Sequence, residues 1–279
     1  MGTFMSDSSI RLSRLFNKGR CLDIAVDHGF FGEGAFLAGI EDMNSAVKTL
    51  VNAAPDAIQL TIGQARLLQD IDQKDRPSLV LRTDVANVYG KKLPDHMFSI
   101  SIGDPVLTAV RLDAAIVVVN LLDLPSRPEM LEACIRNIVA LRAQCDHYGM
   151  PLMVEPLVMK DSDGGGYTSD GRPEKVIPLV RQAVELGADV IKADPTDDPK
   201  DYVDVIRIAG KVPVLVRGGG RVADKELLER TQEVLSLGAA GIVYGRNIIQ
   251  HAKPATMTRA LMSMLHQNAS VETALEMLK

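Results

Sequence analysis

Lys192 closes an apolar run. In "ADVIKADP" (188–195) it follows Val190 and Ile191 and stands two residues before Asp194 and a proline. A free lysine has a pKa near 10.4, so only about one molecule in a few thousand carries the neutral amine at pH 7. Desolvation between apolar walls and nearby positive charge would activate that amine for attack on a carbonyl. A strand-end ion pair is the competing reading. Two carboxylates sit in comparable places: Glu155 in "PLMVEP" (151–156) and Asp27 in "CLDIAVDHG" (21–29). Glu155 suits the proton transfers of carbinolamine collapse and C–C cleavage, with Asp27 as a second acid/base group in a different environment. His28 is expected to hydrogen-bond beside Asp27. The five histidines, His28, His96, His147, His251 and His266, show no HxH or HExxH spacing, so no metal site and no cofactor are expected.

"VRGGGR" (216–221) and "YGRN" (244–247) are the second signal. Gly218, Gly219 and Gly245 let backbone N–H groups approach a phosphate, and Arg246 adds a charge-assisted contact. Arg82, Asn120 and Arg217 are expected to bind substrate, Arg82 and Arg217 with Lys160 and Arg221 as candidates for a second anionic group. Solvated rim charges are the alternative for each of the cations.

Something must carry these residues to one place. Eight short apolar runs alternate with longer amphipathic stretches: 21–26, 56–61, 78–83, 114–121, 151–156, 188–193, 212–217 and 240–245. Helical patterns fall at 40–53, 127–149, 173–187, 198–210 and 223–238, several ending in glycine. That rhythm is the sign of βαβ units, and near-continuous apolar strands are buried on both faces. A (β/α)8 TIM barrel fits eight evenly spaced units better than an open doubly wound sheet, and it gathers strand-end residues on one face. No linker divides the chain, so 1–279 is expected to be a single domain, with 1–20 closing its base and helices over 254–279. "DSDGGGYTSDGRP" (161–173) is expected to be a mobile loop between the fifth strand and its helix.

The 279 residues are 46% hydrophobic and 24% charged, with net charge −5 and mean hydropathy +0.06. This composition fits a globular protein and not a nucleic-acid binder, which would carry a basic stripe. Cys21, Cys134 and Cys145 suggest neither disulfides nor zinc, in keeping with a reducing cytoplasmic setting. No apolar stretch approaches the roughly 20 residues of a membrane span. "MGTFMS" formally matches a myristoylation pattern, and "SSIRLSRLFNKGR" has the arginine content of a transit peptide. The second runs straight into the first strand, and a short closing helix is the expectation there.

"RLSRLFNKGR", "AVDHG", "GADVIKAD", "VPVLVRGGG" and "GAAGIVYGRNIIQ", in this order, resemble the class I aldolases of the DeoC/FbaB/LacD group, archaeal-type fructose-bisphosphate aldolases included. The resemblance spans nearly the whole chain. It implies a (β/α)8 barrel and Schiff-base catalysis. The family's lysine falls on Lys192, its first-strand aspartate on Asp27, and its phosphate-binding residues on Gly218, Gly219, Gly245 and Arg246. One motif departs: "VEPL" stands where the archaeal enzymes carry a tyrosine, and Glu155 there resembles tagatose-bisphosphate and sulfofructose-phosphate aldolases. The implied substrate is a sugar bisphosphate or sulfosugar phosphate, releasing a three-carbon phosphate such as dihydroxyacetone phosphate. Relatives that assemble imply a homo-oligomer. Lysine-dependent transferases of the same fold, of the autoinducer thiolase and heptulosonate synthase types, are the alternative, as is a phosphate- or flavin-binding barrel without Schiff-base chemistry.

Overall fold

The computed structural model describes residues 9–279. Eight parallel strands follow the eight apolar runs: β1 Cys21–Ala25, β2 Ala57–Leu60, β3 Ser78–Arg82, β4 Ile116–Asp123, β5 Leu152–Asp161, β6 Val190–Ala193, β7 Val214–Arg217 and β8 Gly241–Tyr244. Each pairs with its sequence neighbour, β8 returns to β1 through Cys21↔Gly241, and Val117↔Leu152 to Asp123↔Val158 joins β4 to β5. The sheet closes on itself with helices between strands, a (β/α)8 barrel without an exposed parallel edge.

The five expected helical stretches form Met43–Val51, Pro128–Tyr148, Pro173–Glu185, Tyr202–Ala209 and Asp224–Ser236. Proline occupies the first turn of the second and third, where its missing N–H leaves no intrahelical bond unmade. The first is capped by Asp42, whose side chain accepts from Ser45 N at 3.0 Å.

Two cores lie on opposite sides of the sheet. The larger fills the space between strands and helices. The smaller occupies the barrel interior and contains Ala57, Val80, Val118, Met153, Val190 and Leu215. Leu15 of the helix Ser9–Leu15 joins it, with Leu12 and Phe16 packed beside it. The myristoylation motif and Met5 lie outside the described residues. Helices Pro254–Gln267 and Val271–Leu278 bury Met257, Leu261, Met264, Val271 and Ala274 against the chain's own body. Among the described residues no helix is long and apolar enough to cross a membrane.

Two features were not anticipated. β5 runs past its expected end because its outer half pairs antiparallel with Tyr167–Ser169, through Met159↔Ser169 and Asp161↔Tyr167. The "DSDGGGY" stretch expected as a mobile loop is therefore a hairpin turn. A second small ladder joins Asp84–Ala86 to Ser99–Ser101 beyond β3.

Candidate active site

Side chains two residues apart on a strand share a face. Stepping two residues from each apolar interior position reaches Gln59, Arg82, Asn120, Glu155, Lys192 and Arg217. The interior thus changes from apolar to polar in one layer, at the carboxyl ends of six consecutive strands. Gly245 stands two residues past Val243, where β8 has ended.

Charges interlock there. Lys192 is 3% exposed; its Nζ lies 3.0 Å from Glu155 Oε2 and donates to Gln59 Oε1 at 3.3 Å. Arg82, 1% exposed, donates Nε to Asp27 Oδ2 at 2.7 Å, Nη1 to Asp84 Oδ1 at 3.3 Å and Nη2 to Glu155 Oε2. Arg217 Nε stands 3.1 Å from Glu155 Oε1, and its Nη1 donates to Asp194 Oδ1 at 2.7 Å. Burial pushes the Glu155 carboxyl up, but Lys192, Arg82 and Arg217 outweigh it and hold the group well below the usual carboxylate range. For Asp27, burial is likewise overcome, mainly by Arg82 and then Lys192, and the net direction is down. At Asp84 burial wins over Arg82 and Asn120, and the direction is up.

Arg82 and Asn120, expected to meet substrate, are taken up by the protein itself. Arg82 lies against the cleft but bridges three carboxylates. Asn120 does not line the cleft; it gives its backbone N–H (3.1 Å) and Nδ2 (2.8 Å) to Asp84 Oδ2, while its buried Oδ1 has no partner among the described residues. Lys160 and Arg221 are exposed and do not line the cleft. Asp27, His28, Glu155, Lys192, Arg217, Gly218, Gly219, Gly245 and Arg246 do line it together.

The glycine corner is tightly built. A Cβ on Gly245 would lie 2.5 Å from His28 Cε1 and 2.9 Å from Ala25 O, so a side chain is excluded there. The carbonyls of the turn after β7 are taken by side chains: Gly218 O accepts from Arg230 (2.9 Å) and Asn247 (3.2 Å), Gly219 O from Arg246 (3.0 Å), Gly220 O from Asn247 (3.1 Å). Among the described residues the N–H groups of Gly219 and Gly220 donate to no protein acceptor. Such a turn presents donors to an anion, with Arg246 beside them, its guanidinium 4.7 Å from the centre of the Phe36 ring. Burial pulls His28 down to about 4, so its imidazole is neutral at pH 7.

Sequence reasoning missed Gln59, Asp23, Asp194 and Tyr89. Asp23 carried a visible signal, an aspartate inside "CLDIAV". It is fully buried in β1, and among the described residues neither carboxylate oxygen has a partner. Burial raises it to about 7, against the opposing pull of Lys192. Its folded pKa exceeds the unfolded value near 3.9, so the stability it supports is full below pH 4 and is lost as pH rises toward 7. Asp23→Asn is expected to remove a fall of a few kcal/mol across that window, which thermal unfolding at a series of pH values will register as a flatter profile.

The chain matches the sequence model of the DeoC/LacD family of aldolases over residues 21–251. It is 32% identical over 280 residues to an uncharacterised aldolase of Saccharolobus solfataricus, covering 99% of this chain and 100% of the relative. It is 31% identical over 279 residues to the 3-hydroxy-5-phosphonooxypentane-2,4-dione thiolase of Photorhabdus laumondii, covering 96% and 85%. An archaeal fructose-1,6-bisphosphate aldolase, solved with its catalytic lysine covalently bound to the carbinolamine intermediate of the substrate, superposes with a TM-score of 0.76. The identity there is 26%, over 92% of this chain and 99% of that one.

Proposed function

Given that the chain belongs to the DeoC/LacD family of aldolases, we propose that it cleaves or forms a ketose phosphate through an iminium on Lys192. The observation that carries this reading is the placement of Lys192 Nζ 3.0 Å from Glu155 Oε2, in the same cleft as the glycine corner. The similarity to an enzyme whose lysine binds the substrate carbinolamine supports it.

The phosphate rests on the Gly218–Gly220 turn, Gly245 and Arg246. Glu155 accepts the ammonium proton of Lys192. Losing that cation removes one of the three positive charges holding Glu155 ionised, so the transfer itself makes Glu155 a better proton carrier. The amine attacks the ketone carbon, the C=O pair moves to oxygen, and that oxygen takes the proton that the attacking nitrogen loses. Glu155 then protonates the carbinolamine hydroxyl, which leaves as water, and the iminium forms. Asp27 takes the proton of the hydroxyl on the carbon beyond the bond to be broken. Both its protein contacts fall on Oδ2, from Arg82 and Gln59, which leaves Oδ1 for the substrate. The C–C pair flows into the iminium, giving enamine and free aldehyde. Protonation of the enamine carbon and hydrolysis of the iminium release a three-carbon phosphate such as dihydroxyacetone phosphate. A sugar bisphosphate or sulfosugar phosphate is the substrate class in view.

The thiolase relative favours one second reading, transfer of a unit from Lys192 to an added acceptor. Incubating the enzyme with a panel of ketose phosphates, with and without a nucleophilic acceptor such as coenzyme A, separates the two. The expected result is a three-carbon phosphate released without acceptor. Product formed solely when acceptor is present assigns the transferase reaction instead, and no consumption across the panel contradicts both.

A further inference from the structure

The groups assigned above carry protons unevenly. Asp27 and Glu155 are held ionised by their cations, so toward a bound substrate they begin as acceptors. C–C cleavage and its reverse also pass through a stage in which charge builds on the aldehyde-side oxygen, and a donor aimed at that oxygen lowers the barrier. Two neutral donors line the cleft, His28 and Tyr89. His28 lies behind Gly245, its ring edge-on to Phe36 at 5.8 Å.

Tyr89 is differently placed. It follows the short ladder strand after β3 and borders both the Lys192 cleft and an outer compartment. That compartment shares Phe36, Tyr89, Arg217 and Arg246 with the cleft and continues to Ser162, Tyr167 and Thr168. The compartment also borders the phosphate corner through Gly220 and Arg246. In the pose that the proposal below requires, the ketone carbon is at Lys192 and the aldehyde side of the substrate lies against Tyr89, where cleft and compartment meet. Among the described residues the Tyr89 hydroxyl has one partner, Arg217 Nη2 at 3.5 Å, and there the oxygen accepts. Its own hydrogen has no protein acceptor. Burial holds the phenol up at about 12, so the donor form persists through the working pH range.

The ring is also fixed in place. Phe31 and Phe36 flank it edge-on, each centroid 5.2 Å away. The backbone carrying it is clasped by the β5 hairpin turn, the "DSDGGGY" stretch that the chemistry above leaves unused. A Cβ on Gly166 (φ +72°) would lie 2.0 Å from Gly90 O, and one on Gly165 (φ +87°) 2.6 Å from Lys91 O. Only glycine permits so close an approach of the two turns.

We propose that Tyr89 is a catalytic hydrogen-bond donor to the substrate oxygen that becomes the aldehyde carbonyl, and that the Gly165–Gly166 turn positions it. This rests on the aldolase reading above. In the cleavage direction Asp27 removes the proton from that oxygen while Tyr89 O–H stabilises the charge left on it. The C–C bond then breaks, and its electrons go to the iminium. No proton leaves Tyr89, so it returns unchanged.

The test separates the half-reactions. Tyr89→Phe is expected to lower kcat for cleavage by about 10²-fold, the scale of one lost oxyanion donor. Borohydride trapping of dihydroxyacetone phosphate on Lys192, which involves no C–C bond, should stay within about threefold of the parent enzyme. Gly166→Ala should reproduce this split by displacing the turn under Tyr89. Cleavage by Tyr89→Phe within about threefold of the parent would overturn the proposal. So would a parallel loss of trapping and cleavage, which marks a general distortion of the site. Absence of any adduct in the unsubstituted enzyme is a different result and would fall on the aldolase reading itself.

Discussion

Lys192→Met is expected to lower turnover of the ketose phosphate by about 10⁴-fold or more, the usual consequence of removing a group that forms the covalent intermediate. Methionine is close to lysine in length and packs between the same walls, so the loss reports on the amine. Stability points the other way. Lys192 is nearly fully buried and its ammonium is held by the Glu155 carboxylate and the Gln59 amide oxygen. Replacing one buried cation by an apolar side chain spares its desolvation, while Glu155 keeps Arg82 and Arg217 as partners. The folded state should therefore survive, with Tm within a few degrees of the parent. Steady-state kinetics beside calorimetry checks both halves. Loss of activity accompanied by unfolding would remove its chemical meaning.

Arg82→Met should do the reverse and damage the scaffold first. One guanidinium bridges Asp27, Asp84 and Glu155, all three buried. Its removal leaves three carboxylates facing one another with a cation lost from their midst. Breaking a buried charge arrangement from one side costs about 3–5 kcal/mol, a fall in Tm on the order of 10 °C for a chain of this size. Arg82→Lys should rescue it poorly, because a point charge cannot reproduce a planar fork with three partners. The pH dependence has a defined sign. Asp27 and Glu155 have depressed folded pKa values, so the stability they bring is present above the unfolded value near 4 and fades as pH falls through their folded values. The gap between parent and variant is thus widest above pH 4 and narrows in acid. Thermal unfolding from pH 3 to 8 checks this. A variant with unchanged Tm and only a raised KM would restore Arg82 to direct substrate binding.

The barrel was legible because its strands are continuous runs of Val, Ile and Leu, a pattern that burial on two faces demands. Most of the candidate site was legible for a related reason. Lys192, Glu155 and Arg82 are charged residues inside apolar strands, where they must find partners or do chemistry. What did not follow was who meets whom. The partners of Arg82 come from the loop after β1, the short ladder strand that follows β3, and β5, and chain order does not reveal which side chains span the interior. Tyr89 was hidden more deeply. It sits in no periodic element, and its place is set by two glycine turns that touch across more than seventy residues of chain. The hairpin extension of β5 escaped notice because "DSDGGGY" has the composition of any loop.

Covalent attachment at Lys192 is read by incubating the enzyme with dihydroxyacetone phosphate and sodium borohydride, then digesting it and mapping the peptides by mass. One stable adduct is expected on the peptide containing Lys192, none on other lysines, and none in Lys192→Met. An adduct on another lysine, or ketose phosphate cleavage that leaves no trapped species and persists in Lys192→Met, would contradict covalent catalysis at Lys192.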